Sequence, residues 1–183
     1  MTSAVKSSAL QQSMVKIGLL NPKSPTNVGG VMRAAGCYQA DAVGYTGKRY
    51  ALAASHRGEQ YNTDTKRAGE RIPLQPFDSL TSMLEPGMKL VCVDLVEGAI
   101  PLPHYVHPQS ALYVFGPEDG TLDQGLIDQA DDVVYVPTVG CMNLASSVNV
   151  LLYDRLAKQS DIKASDELIR QSRDTNNRVK VKS

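Results

Sequence analysis

Short apolar runs recur along the chain at VKIGLL (15–20), AVGYTG (42–47), KLVCVDLV (89–96), ALYVFG (111–116) and DVVYVP (132–137). They are rich in β-branched and aromatic residues and end in glycine, proline or charged turns, the pattern of buried strands. Helical spacing lies between them, over 27–39, 79–85, 121–130 and 143–159. In the last of these, Leu144, Val148, Leu151, Leu152 and Leu156 recur at helical intervals, while Asp154, Arg155 and Lys158 fall outside the apolar stripe. The alternation predicts an α/β fold with a largely parallel sheet and flanking helices. Residues 48–76 show no clear period and read as a long ordered excursion. Residues 1–13 read as a mobile N-terminal arm, 14–160 as one domain and 161–183 as a basic C-terminal tail.

Composition narrows the class. A chain of 183 residues with 42% hydrophobic content and zero formal charge suits a single domain with a real core. No apolar run approaches the roughly 18–20 residues that span a bilayer, and MTSAVKSSALQQSMVK lacks the apolar block of a signal peptide, so a cytoplasmic protein without a membrane segment is expected. Cys37, Cys92 and Cys141 are odd in number, far apart and without C-x-x-C spacing. That supports reduced thiols over a disulfide framework or a zinc site.

The neutral total hides a segregation of charge. Residues 48–71 carry six basic side chains (Lys48, Arg49, Arg57, Lys66, Arg67, Arg71) against three acidic ones, and the tail from Lys163 repeats that ratio. Between Glu85 and Asp132 nine carboxylates face only Lys89. Such a layout allows a cationic surface for a polyanion on a neutral protein, and it is equally compatible with ordinary solvated faces.

Three stretches carry candidate chemistry. In NPKSPTNVGGVMRAAG (21–36) a turn-rich loop follows a strand and opens a helix, the usual place for a ligand loop in α/β proteins. It matches neither the dinucleotide fingerprint nor the P-loop. Asn27 reads either as a ligand-facing group or as the helix N-cap, with the helix beginning there, and Gly29–Gly30 either shape the loop or permit close backbone packing. In FGPEDGTL (115–122) Gly116 and Gly120 bracket Glu118, which the loop would fix in place. In VPTVGCMNLASSVNVLLYD (136–154) a strand, a tight loop and a helix start adjoin. The free amides of that helix start could hold a ligand or be capped by Asn143.

Taken in order, these stretches resemble the three motifs of the TrmH/SpoU branch of the SPOUT superfamily of RNA ribose 2′-O-methyltransferases. The first is N-P-x-N-x-G-x-x-x-R, here ending TNVGGVMRAAG; the second is the strand closing in G-x-E, here VFGPEDGTL; the third leads through an asparagine to a helix with L-L-Y. The resemblance spans about residues 15–157. It implies a C-terminal deep trefoil knot, a homodimer and S-adenosyl-L-methionine bound in the knot, with no metal. It makes Arg33, Asn27, Glu118 and Asn143 the candidate catalytic set. Gly116, Val136 and Leu144 match positions that cradle the cofactor, with Cys141, Met142 and Asp94 beside them.

The chain departs from the pattern in three places. The loop between Pro22 and Asn27 is lengthened, the third loop is shortened, and two serines are replaced by Cys141 and Ala145, with Ser146 or Ser147 the candidates to supply the hydroxyl lost at Ala145. Arg33, always charged, suits gripping a phosphate and stabilising a developing alkoxide better than acting as a base. Glu118 is expected to hold Arg33 or Asn27, or to lie by the cofactor. Arg57, Lys66 and Arg67 are expected to guide RNA. His56, His104 and His107 lack ligand spacing and read as surface or core residues. The expectation is methyl transfer to a ribose 2′-hydroxyl of RNA, with tRNA favoured because no appended RNA-binding domain is evident, as in the small TrmL-like enzymes. The alternatives are a non-catalytic RNA-binding protein on the same fold, an rRNA substrate, or a generic nucleotide-binding α/β protein.

Overall fold

The computed structural model describes residues 13–57 and 68–182. The chain runs β1 (Val15–Leu19), α1 (Pro25–Tyr38), β2 (Ala42–Tyr45), α2 (Arg49–Arg57), β3 (Leu74–Pro76), β4 (Lys89–Val93), β5 (Ile100–Pro101), β6 (Ala111–Phe115), α3 (Gln124–Gln129), β7 (Asp132–Tyr135), α4 (Leu144–Ala157) and α5 (Asp166–Ser172). The strands form one seven-stranded sheet in the order β3-β2-β1-β6-β4-β7-β5, with every pairing parallel.

Both faces of the sheet are covered, which is why its central strands read as unbroken apolar runs. Successive residues point to opposite faces. Ile17, Leu19, Val91, Val93, Tyr113 and Phe115 pack beneath α1 and α4, whereas Leu90, Cys92, Leu112 and Val114 pack against Leu80, Met83 and Leu126 on the other side. The α1–α4 layer is tight. A β-carbon placed on Gly30 would stand 2.8 Å from the Ala145 β-carbon, so these small residues let the two helix backbones approach. Packing is thus the reading of Gly30 that the fold favours.

Several expected boundaries move. Helix α1 starts at Pro25, not Asn27, because Ser24 is the cap: its hydroxyl accepts from the Asn27 amide and Pro25 supplies a preset first turn. The helix expected over 79–85 shrinks to a 3-10 turn at Leu80–Met83, since Pro86 disfavours helical backbone at Glu85. Within 48–76 lie α2, a 3-10 turn and β3. Helix α2 hides from a periodicity search because its Leu52 is exposed and it has no full apolar stripe. The tail contains α5, which buries no residue and is instead capped by Ser165, with Asp166 and Glu167 in its first turn. The N-terminal arm, apart from Ser13, lies outside the described residues.

Arg155, expected outside the apolar face of α4, is buried at 8% exposure. Its guanidinium donates to the carbonyls of Pro108 (2.6 Å) and Gln109 (2.7 Å), to the Tyr113 hydroxyl and to the Ser13 hydroxyl. Beside it, the His107 ring links the Tyr113 hydroxyl (2.7 Å) to the Asp154 carboxylate (2.9 Å), so His107 is a core residue. These bonds fasten the end of α4 to the segment before β6.

Candidate active site

The three motif loops converge at the C-terminal ends of β1, β6 and β7, where parallel α/β sheets place their ligand crevices. The β1–α1 loop turns sharply at Asn21, a non-glycine residue with φ 43°, and its amide donates to the Thr46 hydroxyl at 3.1 Å. Because Ser24 already caps α1, the Asn27 side chain is left to project from the third helical position.

It does so into a chain of hydrogen bonds joining all three motifs. Asn27 Nδ2 donates to Glu118 Oε1 at 3.0 Å, and Asn27 Oδ1 accepts from Asn143 Nδ2 at 2.8 Å. Asn143 Oδ1 in turn accepts from the amides of Ala145 and Ser146 and so caps α4. Of the two readings of that helix start, capping is the one realised. Glu118 also accepts from the backbone amides of Lys23 (2.9 Å) and Ser24 (3.1 Å). The lengthened loop is therefore clamped from beneath by one carboxylate. Burial works against the Glu118 charge, but the bonds from Asn27, Lys23 and Ser24 outweigh it and hold its carboxyl below the usual value.

Arg33 is not brought to this cluster. Its side chain is exposed and is not hydrogen-bonded to Asn27, Glu118 or Asn143. Six residues beyond Asn27, it lies about 9 Å along the helix and on a different face. Of the two partners expected for Glu118, Asn27 is the one it holds, and Arg33 is not.

A cavity of about 150 Å³ opens beside the cluster. Asp94, Gly116, Glu118, Val136, Cys141, Met142 and Leu144 all line it, as does Ser147, one of the two serines offered in place of the lost motif hydroxyl, together with residues the motif reading did not single out, among them Leu95, Tyr135 and Thr138. Asp94 stitches its rim, with Oδ1 accepting from the Leu95 amide (2.7 Å) and Oδ2 from the Leu122 amide (2.8 Å). Gly116 packs close enough to this carboxylate that an added β-carbon would stand 3.4 Å from Asp94 Oδ2. A wall of mixed apolar and polar groups at the strand ends is the usual make-up of a small-molecule site. Ser147, whose hydroxyl donates to the Asn143 carbonyl at 3.2 Å, brings a hydroxyl to this wall.

Arg57 ends α2, and Lys66 and Arg67 lie outside the described residues. Among the described residues no group of His, Cys, Asp or Glu side chains could hold a metal, and no helix is long and apolar enough to cross a membrane.

The model of the SpoU rRNA methylase family matches residues 14–153. Among solved structures, the SpoU methyltransferase AviRb from Streptomyces viridochromogenes, in complex with the cofactor AdoMet, superposes with a TM-score of 0.67 at 19% identity, over 80% of this chain and 60% of that one. The A. aeolicus TrmH/SpoU tRNA modifying enzyme gives 0.65 at 16% identity, over 87% and 85%. A protein whose structure concerns the 2-OH methylation of C/U34 on tRNA gives 0.66 at 20% identity, over 80% and 91%. At these identities the likeness establishes a common fold, and the chain spans about 60% of the length of AviRb. No curated protein matches.

Proposed function

This chain belongs to the SpoU rRNA methylase family, and we propose that it transfers a methyl group from S-adenosylmethionine to a ribose 2′-hydroxyl of RNA, with tRNA as the substrate class. One observation carries the reading: the Glu118–Asn27–Asn143 chain of hydrogen bonds ties three distant loops together beside a cavity suited to the cofactor. Support for tRNA comes from the two similar structures concerned with tRNA, each covered by this chain over more than four-fifths of its length.

In this reading Gly116, Val136, Cys141, Met142 and Leu144 wall the cofactor pocket, with Asp94 bracing its rim. The bound cofactor supplies an electrophilic methyl group. Asn27 keeps one amide hydrogen and one lone pair beyond its bonds to Glu118 and Asn143, enough to orient a ribose hydroxyl. Glu118, held charged and accepting from three donors, positions Asn27 and is not the base. Ser147 offers the pocket a hydroxyl where the motif serine is replaced by Ala145. Arg33 remains cationic and grips the phosphate beside the target, stabilising the alkoxide as it forms.

The domain is proposed to span 14–160 and to carry the trefoil knot. Supporting the knot, the chain leaves β7 near one edge of the sheet, returns to pack α4 on α1, and has its end gripped by the 102–109 carbonyls. A homodimer and a cytoplasmic location complete the reading. For the dimer, α4 presents an outward stripe of Ser146, Asn149, Val150, Tyr153 and Ala157 with two large apolar members exposed. Arg33 and Cys37 are exposed on the adjoining α1. Arg33 then faces RNA or the dimer seam, not its own chain's Asn27. Arg57, Lys66 and Arg67 are proposed to steer the RNA.

Arg33→Ala should abolish methyl transfer while S-adenosylmethionine binding by calorimetry stays within about twofold of wild type. Fully retained activity would overturn the assignment. Cofactor binding by the wild-type protein with no transfer to any RNA would select the non-catalytic reading instead.

A further inference from the structure

Next to the Glu118 clamp, Asp119 holds two cations from different loops. Arg49 Nη2, at the start of α2, donates to both Asp119 oxygens at 2.9 Å, and Lys23 Nζ, from the lengthened first loop, reaches Oδ2 at 3.3 Å. All three side chains are a third to a half exposed. Two positive groups thus share one carboxylate, and Lys48, next to Arg49 in the chain, is exposed. Glu118 adds a second negative charge nearby, but its oxygens are turned to the amides of Lys23 and Ser24 and to Asn27, so Asp119 is the carboxylate that Lys23 Nζ and Arg49 contact.

The framework beneath the cluster is firm. The Thr46 amide donates to the Leu19 carbonyl and the Asn21 amide to the Thr46 hydroxyl, which locks the loops after β1 and β2 side by side. An ion pair as exposed as Arg49–Asp119 adds little to stability. The pair is nonetheless suited to exchange, because Arg49 commits a single nitrogen, Nη2, to Asp119 and a guanidinium binds phosphate oxygens as it binds carboxylate oxygens. The cluster sits one residue from both ends of the Glu118 clamp, at the edge of the proposed active site.

We propose that Lys23 and Arg49 form a receiving site for a backbone phosphate of the RNA substrate, with Asp119 as the resting counter-ion that this phosphate displaces. The cations are held apart from non-specific anions until a polyanion docks, and the lengthened first loop, which carries Lys23, gains a role. The inference rests on the proposed RNA substrate.

The test measures binding of total tRNA across a salt series for the wild type, Arg49→Ala, Lys23→Ala, Asp119→Asn and the Arg49→Ala/Asp119→Asn double variant, with S-adenosylmethionine affinity and melting temperature alongside. Arg49→Ala is expected to weaken tRNA binding about tenfold and to flatten the salt slope by about one. Lys23→Ala is expected to do the same to a lesser degree, and both should leave cofactor affinity and melting temperature in place. Asp119→Asn is expected to tighten tRNA binding, and that gain should vanish in the double variant. A gain that persists without Arg49 would mean simple removal of repulsion and overturn the proposal. Unchanged affinity and slope in Arg49→Ala would overturn it too, as would losses that appear only together with lost cofactor binding and stability. If the wild-type protein shows no salt-dependent tRNA binding, the proposed function fails first and the phosphate site falls with it.

Discussion

No local rule requires Asn27 to touch Glu118 and Asn143, yet its position explains both contacts. Moving the cap back to Ser24 turns Asn27 from a helix-ending residue into a bracket between loops that lie 91 and 116 residues away. His107 shows the same effect of context in the core. Burial pushes its pKa below 6.5, and this outweighs the hydrogen bond to Asp154 that acts the other way. As pH falls below about 6.5, the unfolded chain therefore takes up a proton that the folded one refuses, so stability is full above that value and declines beneath it. His107→Gln should flatten this dependence. Urea unfolding at about pH 7 and about pH 5 reads it directly, as a smaller difference between the two midpoints than in the wild type.

Helices α1 and α4 are the elements on which the site depends, because each carries one of the two bridging asparagines at its start. Gly30 faces Ala145, and Tyr38 lies near Tyr153: burial raises the Tyr38 pKa most, with Cys37 and Tyr153 adding to it. Both pairs are eight residues apart on their helices, so α1 and α4 run side by side in the same direction. Alanine at position 30 would improve helix propensity by about 1 kcal/mol. Its β-carbon would nevertheless press on Ala145 and force the helices apart, at a cost of about 1–3 kcal/mol. Gly30→Ala should therefore lower the denaturation midpoint, and weaken methyl transfer further by separating Asn27 from Asn143. The same contact accounts for Ala145, since a larger side chain there would meet α1.

For the whole molecule, the outward stripe on α4 makes the dimer reading testable. Val150 is 36% and Tyr153 61% exposed, so replacing both with glutamate should cost the fold of one chain little. If a second copy covers them, Val150→Glu/Tyr153→Glu should sediment as a monomer where the wild type sediments as a dimer. Much of this architecture was legible in the sequence. The five apolar runs, the helices near 27–39, 121–130 and 143–159, and the three motif loops follow from periods of two and 3.6 residues and from turn formers, all local features that need no tertiary information. The family resemblance singled out Gly116, Glu118, Val136 and Leu144, which line one cavity, and Asn143, which bonds to Asn27. Local pattern could not locate α2 and β5, because surface elements and two-residue strands leave no period. Nor could it show Arg155 buried, since its charge is tolerated only through carbonyls 46 and 47 residues away. The sequence alone settled which residue types were available at the ends of the strands. Folding decided that Glu118 would hold Asn27 and leave Arg33 pointing outward, because that choice depends on which loops the parallel sheet brings within hydrogen-bond reach.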